Sequence, residues 1–130
     1  MNSVSDFIKK CGTYFLATDD NGQPRVRPFG TVNIFEGKLY IQTGKAKEVS
    51  RQIQKNPKVE LSCFDGQKWL RLSGELVRDD RIEAKADMLN HYPDLKKMYS
   101  AEDENTEVLY FRNAAATFYS FTSAPETIRF

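Results

Sequence analysis

Two lysines stand where a helix is predicted to begin, and their position points to a bound anion. Lys45 and Lys47 fall in TGKAKE, which reads as the end of a strand, a Thr-Gly turn and a helix start. A helix N-terminus carries a partial positive charge, so each lysine there costs roughly a few tenths of a kcal/mol. The free backbone N–H groups of the same turn form an anion site. A bound dianion would explain both lysines, and the alternative is that they point into water.

A second pair of bases belongs to a predicted strand. Arg25 and Arg27 are two residues apart in PRVRPFG and therefore lie on one face of that strand. Like charges on one face are unfavourable unless they are solvated or share an anion. We expect the FEGK turn to pair the strand of Arg27 with the strand that ends at Thr43, so the arginines and the lysines are compatible with a single phosphate pocket.

Side chains that act directly in catalysis are scarce. The chain has one histidine and two cysteines, and Cys11 and Cys63 are far apart, so we expect reduced thiols and no zinc site. His91 lies in the polar segment LNHYPD and reads as a solvated histidine at a helix end. TGKAKE lacks the first glycine and the final hydroxyl of a P-loop. We predict no catalytic side chain and no metal site, so any enzyme chemistry would depend on a cofactor.

The bulk composition is that of an ordinary soluble domain. The 130 residues include 28% charged and 40% hydrophobic residues, and the formal net charge is +1. This charge gives no reason to expect nucleic acid as a partner, and no apolar run is long enough to span a membrane. The N-terminal residues contain no long apolar core typical of a secretory signal. We expect a single cytoplasmic domain over residues 1–130.

The hydrophobic pattern predicts mainly antiparallel β-structure. Asn-Gly in DDNGQ and the short FEGK segment predict tight hairpin turns, which argues against a parallel sheet. Five or six strands with helices at the rim would form a small barrel. The predicted elements are a helix ending at Gly12, three strands within 13–43, a helix over about 46–55, two strands within 58–79, a helical region broken near Pro93, and strand structure within 107–130.

The order of these motifs resembles the pyridoxamine 5′-phosphate oxidase-like family of flavin-binding split barrels. It is most similar to small members related to nitroimidazole-resistance proteins. The resemblance covers nearly the whole chain and rests on PRVRPFG, LYIQTGKAKEVSRQIQKNPKVEL, WLRLSGEL and ATFYSF. It implies a Greek-key-type split β-barrel with peripheral helices, and an FMN held at the interface of a homodimer. FAD or a deazaflavin is the alternative cofactor.

The resemblance also implies which residues meet the cofactor. Arg27 and Lys47 would hold the phosphate, and Thr43 would lie at the phosphate and ribityl chain. Trp69 would line the flavin ring of the partner, or else fill the dimer core. The roles of Arg25 and Arg71 stay open. The full set of implied cofactor residues is Arg27, Pro28, Phe29, Gly30, Gln42, Thr43, Lys45, Lys47 and Trp69.

The function that the resemblance implies is an FMN-dependent oxidoreductase that passes electrons from a reduced nicotinamide to a small acceptor. Oxidases of pyridoxamine phosphate carry a further C-terminal segment with tryptophan and arginine residues that this sequence does not show, so we expect a different substrate. Nitroimidazole-reducing relatives have a histidine near the flavin, and His91 does not match its segment. The alternatives are a non-catalytic flavin- or haem-binding protein of the same fold and a structural dimer without ligand.

Overall fold

Eight strands, three α-helices and one 3₁₀ helix follow one another along the chain. The computed structural model describes all 130 residues. The elements, in order, are α1 (Asn2–Cys11), β1 (Tyr14–Asp20), β2 (Gln23–Phe29), β3 (Asn33–Phe35), β4 (Lys38–Gly44), α2 (Glu48–Lys55), β5 (Lys58–Phe64), β6 (Lys68–Asp79), α3 (Ile82–His91), the 3₁₀ helix Pro93–Lys97, β7 (Thr106–Ser120) and β8 (Glu126–Arg129).

One antiparallel sheet contains every strand. Its order is β2-β1-β5-β6-β7-β4-β3, and β8 pairs with the outer part of β7. The sheet curls without closing, and the three α-helices lie at its periphery, which is the split-barrel arrangement. β2 is an edge strand, and this position tolerates the missing backbone donor of Pro28. The prediction of a mainly antiparallel split barrel is confirmed.

The long strands β6 and β7 bend at one small residue. The register between them shifts between Ser73 and Glu75. A Cβ atom built on Gly74 would come within 3.2 Å of the Ala114 backbone, so a larger residue would require Ala114 to shift by a few tenths of an ångström. The bulge gives β6 the extra curvature that a split barrel requires.

The core fills the inside of the curled sheet. Fully buried side chains from five neighbouring strands meet there, and Val49 and Ile53 of α2 cover one opening. A smaller cluster on the outer surface packs Ala84 and Met88 of α3 against Tyr40 and Val108. None of the helices combines the length and the apolar character that crossing a membrane requires.

Three local predictions need correction. Residues 13–44 form four strands rather than three, and the whole chain forms eight strands rather than five or six. β2 does not pair with β4, because β2 is one edge of the sheet and β4 lies beside β3 at the opposite edge. Finally, α2 begins at Glu48, so Lys45 and Lys47 precede the helix and do not occupy its first turn. Each error concerns a boundary or a non-local pairing, which alternation along the sequence does not specify.

Candidate functional site

The largest cavity of the protein opens beside the N-terminus of α2. It has a volume of about 580 Å³ and lies between the end of β2, the end of β4 and the segment that follows α3. We call Arg27, Thr43 and Lys47 its polar end. We call His91, Tyr92, Leu95, Met98 and Tyr99 its aromatic wall. The other lining residues are Pro28, Phe29, Gly30, Thr31, Gln42, Val49, Pro93 and Asp94.

At the polar end, the guanidinium of Arg27 is held by neutral acceptors alone. Its Nη1 donates to the Leu16 carbonyl oxygen at 3.1 Å and to Thr18 Oγ1 at 2.8 Å, and its Nη2 donates to Gln52 Oε1 at 2.7 Å. Burial lowers the pKa of Arg27, and the nearby Glu48 opposes this change. An arginine nevertheless stays charged at neutral pH. The result is an oriented cation that has no carboxylate as an ion-pair partner, although Glu48 is close enough to act on its charge.

Lys47 is the second unpaired cation of the polar end. It is the N-cap residue of α2, with extended backbone angles of φ −80° and ψ 152°, and no side chain caps the helix. No carboxylate lies within 4.0 Å of the Lys47 ammonium or the Arg27 guanidinium. The two neighbouring bases differ, because Lys45 pairs with Asp80 at 3.2 Å and Arg25 pairs with Asp20 at 3.1 Å.

The loop that carries Lys47 is shaped by the acidic segment 101–107. Lys45 N–H donates to the Asn105 carbonyl oxygen at 2.7 Å, and Ala46 N–H donates to Asn105 Oδ1 at 3.0 Å. Asp103 in turn accepts backbone N–H groups from Thr106 and Asn105. These bonds, with that of Thr106 first, lower the pKa of Asp103 to about 2. The acidic segment therefore supports the loop that carries Lys47.

Arg27 and Thr43 approach each other through a link that is not a strand pair. Thr31, two residues beyond the end of β2, accepts the Gln42 backbone N–H on its Oγ1 at 3.0 Å. The Gln42 amide Nε2 donates to the Thr43 carbonyl oxygen at 3.1 Å. Gln42 and Thr43 are both buried. The end of β2 is thus fastened to the end of β4, and both contribute to the cavity.

The aromatic wall is attached to the barrel at two points. Tyr92 Oη accepts from Val32 N–H at 3.0 Å and donates to the Val32 carbonyl oxygen at 2.9 Å. Asn33 Nδ2 donates to Asp87 Oδ2 at 2.6 Å and lies 3.2 Å from His91 Nδ1. His91 is half exposed, as expected for the end of a helix, but it also lines the cavity, which we did not predict.

Seven of the nine implied cofactor residues line this cavity. Lys45 does not, because it turns to Asp80. Trp69 lies on the outer face of the sheet, where it stacks on Tyr119 with ring centroids 5.4 Å apart. The aromatic wall was not predicted from the sequence. A usable signal was present, since Tyr92, Leu95, Met98 and Tyr99 recur at spacings of three and four residues after the helix break.

Comparison with known families identifies the relatives of this chain. The family described as pyridoxamine 5′-phosphate oxidase matches residues 2–120. The chain belongs to the pyridoxamine 5′-phosphate oxidase family. The resemblance inferred from the sequence motifs is therefore confirmed. At the level of this family, the fold supports a flavin-binding, oxidoreductase-type function. No match was found among curated proteins.

Three solved structures are similar to this chain. A NimC/NimA family protein from Clostridium acetobutylicum is 44% identical, superposes with a TM-score of 0.97, and is matched over 100% of this chain and 92% of that chain. General stress protein 26 from Bacillus anthracis is 19% identical, with a TM-score of 0.73 and 98% of both chains covered. A haem-binding protein from Mycobacterium smegmatis is 13% identical, with a TM-score of 0.73 over 94% of this chain and 57% of that chain. The last two similarities show a shared fold.

Proposed function

We propose that this protein binds FMN and transfers electrons from a reduced nicotinamide to a small acceptor. The observation that carries the proposal is the polar end of the cavity. Two cations, Arg27 and Lys47, converge there without a carboxylate partner, while the adjacent Arg25 and Lys45 are both paired. Two neighbouring cations without ion-pair partners form an arrangement that a phosphate dianion stabilises.

The donor set fits the parts of FMN. Arg27 and Lys47 would hold the phosphate, with the Thr43 hydroxyl and Gln42 beside it. The backbone of Pro28, Phe29 and Gly30 would lie along the ring. The volume of about 580 Å³ falls within the range of roughly 300–1,000 Å³ typical of small-molecule sites. FMN is the proposed flavin because its terminal phosphate matches the two cations.

A bound flavin would supply reversible hydride and electron chemistry, and the chain would supply position and environment. The buried Gln42 and Thr43 and the half-buried Tyr92, Leu95 and Tyr99 of the wall would limit the access of water to the ring. No lining residue forms a nucleophile–base pair, so the proposed reaction assigns no catalytic side chain. The reduced nicotinamide and the acceptor would both have to enter where the aromatic wall is most exposed, near Met98, which is 72% exposed.

A homodimer with the flavin at its interface is part of the proposal. The outer sheet face carries Trp69 stacked on Tyr119, and the Phe121 ring lies 5.1 Å from Trp69. Phe121 is 79% exposed and Phe64 is 55% exposed. Such clustered exposed aromatic side chains are typical of an interface. A second copy that covers them would bring Trp69 toward the partner's flavin. A single cytoplasmic domain remains the expected setting.

The test is direct. The purified protein should be yellow with flavin absorbance, or should take up added FMN with a rise in melting temperature. Riboflavin, which lacks the phosphate, should bind more weakly and stabilise less. A colourless protein that FMN does not stabilise would remove the proposal. Light scattering of the loaded protein should give the mass of a dimer.

Haem is the second candidate, because His91 lines the cavity. His91 Nδ1 lies 2.8 Å from the Asp87 carbonyl oxygen, and Nε2 has no partner in the protein. A histidine nitrogen is a usual axial ligand of haem. Titration with haemin should give no Soret shift if the cavity is a flavin site. A histidine-ligated haem spectrum that His91→Ala abolishes would favour this candidate instead.

A further inference from the structure

A glutamine on the inner face of α2 holds Arg27 in place. Gln52 is only 8% exposed, although its neighbours Arg51 and Gln54 point into solvent. Its Oε1 accepts from Arg27 Nη2 at 2.7 Å and from Thr18 Oγ1 at 2.6 Å. Because arginine only donates, the Gln52 atom that faces it must be the carbonyl oxygen. The network therefore fixes the orientation of the amide.

The three side chains form a closed ring. Arg27 Nη1 donates to Thr18 Oγ1 at 2.8 Å, and the Thr18 hydroxyl donates onward to Gln52 Oε1. The Leu16 carbonyl oxygen takes a further N–H of Nη1 at 3.1 Å. A guanidinium has five N–H donors, so two remain without an acceptor in the protein. The ring thus fixes the plane of the guanidinium and leaves donors for a ligand.

The neutrality of the acceptors is the decisive feature. A glutamate at position 52 would make the same contact, but it would also neutralise Arg27, as Asp20 neutralises Arg25 and Asp80 neutralises Lys45. Burial makes such an ion pair within a protein stronger than at its surface. A neutral amide orients the cation and leaves its charge to the ligand.

We propose that Gln52, assisted by Thr18, is a positioning residue that sets the preference of this cavity for a phosphorylated over an unphosphorylated flavin. The inference rests on the proposed function, because it assigns the phosphate to Arg27. It goes beyond that function by naming the residues that keep Arg27 oriented and without a counter-charge. Gln52 does not line the cavity, so it would act through Arg27.

The test compares the dissociation constants of FMN and riboflavin, measured by quenching of flavin fluorescence on the full chain. Gln52→Glu should weaken FMN by about tenfold or more and change riboflavin by less than about twofold. Gln52→Met, which removes the acceptor without adding charge, should weaken FMN by about three- to tenfold. Gln54→Glu is the matched control, because it adds the same charge to the exposed side of α2, and it should change the FMN-to-riboflavin ratio by less than about threefold.

Two results would overturn the inference in a chain that binds FMN. One is an affinity for FMN that does not change in Gln52→Glu. The other is an equal loss of FMN and riboflavin, which would mean that Gln52 supports the fold in general. If Gln52→Glu does not fold, the FMN-to-riboflavin ratio of dissociation constants is measured in Gln52→Met and Thr18→Val instead. A ratio that is unchanged in both variants would contradict the inference. A wild-type chain that binds neither flavin would overturn the proposed function, and the inference would fall with it. This result is obtained before any variant is made, so the two failures can be distinguished.

Discussion

The polar end and the aromatic wall of the cavity are built in different ways. The polar end joins regular strands to a helix start; Thr43 is buried and Arg27 is half-buried and held by hydrogen bonds, while Lys47 is exposed. The wall follows α3 as a 3₁₀ helix and its flanks, and His91, Met98 and Pro93 are largely exposed. Regions with few buried contacts open more easily than the core. The comparison suggests a rigid end that selects the anion and a softer wall that adapts to whatever lies against the ring.

Removing a charge at the polar end should have the largest effect. Lys47→Met or Arg27→Met should each weaken FMN by about 1.5–3 kcal/mol, if each removes one charge-assisted contact. Riboflavin binding should change little in Lys47→Met. Lys45→Met is the matched control, since Lys45 is already paired with Asp80. Isothermal titration of the three variants measures the effects. Equal losses of FMN affinity in Lys45→Met and Lys47→Met would contradict the distinction between the paired Lys45 and the unpaired Lys47.

Loosening the aromatic wall should weaken both flavins equally. Tyr92→Phe leaves the buried Val32 N–H and carbonyl groups without their partner, which should lower the free energy of unfolding by about 1–3 kcal/mol. FMN and riboflavin should lose affinity by the same factor, because the wall is remote from the phosphate. Tyr99→Phe is the control, since the Tyr99 hydroxyl makes no hydrogen bond. Chemical denaturation and titration of both flavins provide the measurements. A loss confined to FMN would show that the wall acts through the polar end.

The start of α3 gives the stability of the fold a pH dependence. Side-chain hydrogen bonds from Arg81, aided by the Tyr40 hydroxyl and opposed by burial, lower the pKa of Asp79 to about 2 from its ordinary 3.8. A carboxyl whose folded-state pKa is depressed stabilises the fold above its unfolded pKa and loses that contribution as the pH falls through its folded pKa. The contribution, about 1–2 kcal/mol with Arg81 half exposed, should therefore disappear between about pH 4 and pH 2.

Asp79→Asn checks this dependence. The variant should be less stable than wild type at pH 7, and the difference should shrink as the pH falls from 4 toward 2, measured by urea denaturation at each pH. Asp80→Asn is a control, since Asp80 is exposed and pairs only with Lys45. A difference between wild type and Asp79→Asn that stays constant over this range would assign the stabilisation to shape and hydrogen bonding instead of charge.

The sequence was most informative where the structure depends on neighbours along the chain. The hairpin turns at Asn21-Gly22 and Glu36-Gly37 have positive φ, as expected, and Val49 and Ile53 face inward. The sheet order is non-local, so the sequence could not specify that β2 ends up remote from β4 along the sheet. The role of Gln52 could not be predicted from the sequence either, because it depends on contacts with Thr18 and Arg27 from two other elements. The wall depends on how the short helix that begins at Pro93 packs against the barrel. The alternation of apolar and polar residues along the sequence does not specify this packing.

The smallest expected effect concerns the support of the Lys47 loop. Asn105→Ala removes the acceptor of the Ala46 N–H but keeps the backbone bond from Lys45 N–H, so only one neutral hydrogen bond, worth about 0.5–1.5 kcal/mol, is lost. The loop should hold Lys47 less firmly, and FMN should bind about two- to fivefold more weakly, with riboflavin unchanged. Glu102→Ala alters the same segment without removing a contact and should leave both affinities unchanged. A larger loss of FMN affinity in Glu102→Ala than in Asn105→Ala would mean that the acidic segment acts on the polar end through its charge. The position of Lys47 would then not depend on the hydrogen bond to Asn105.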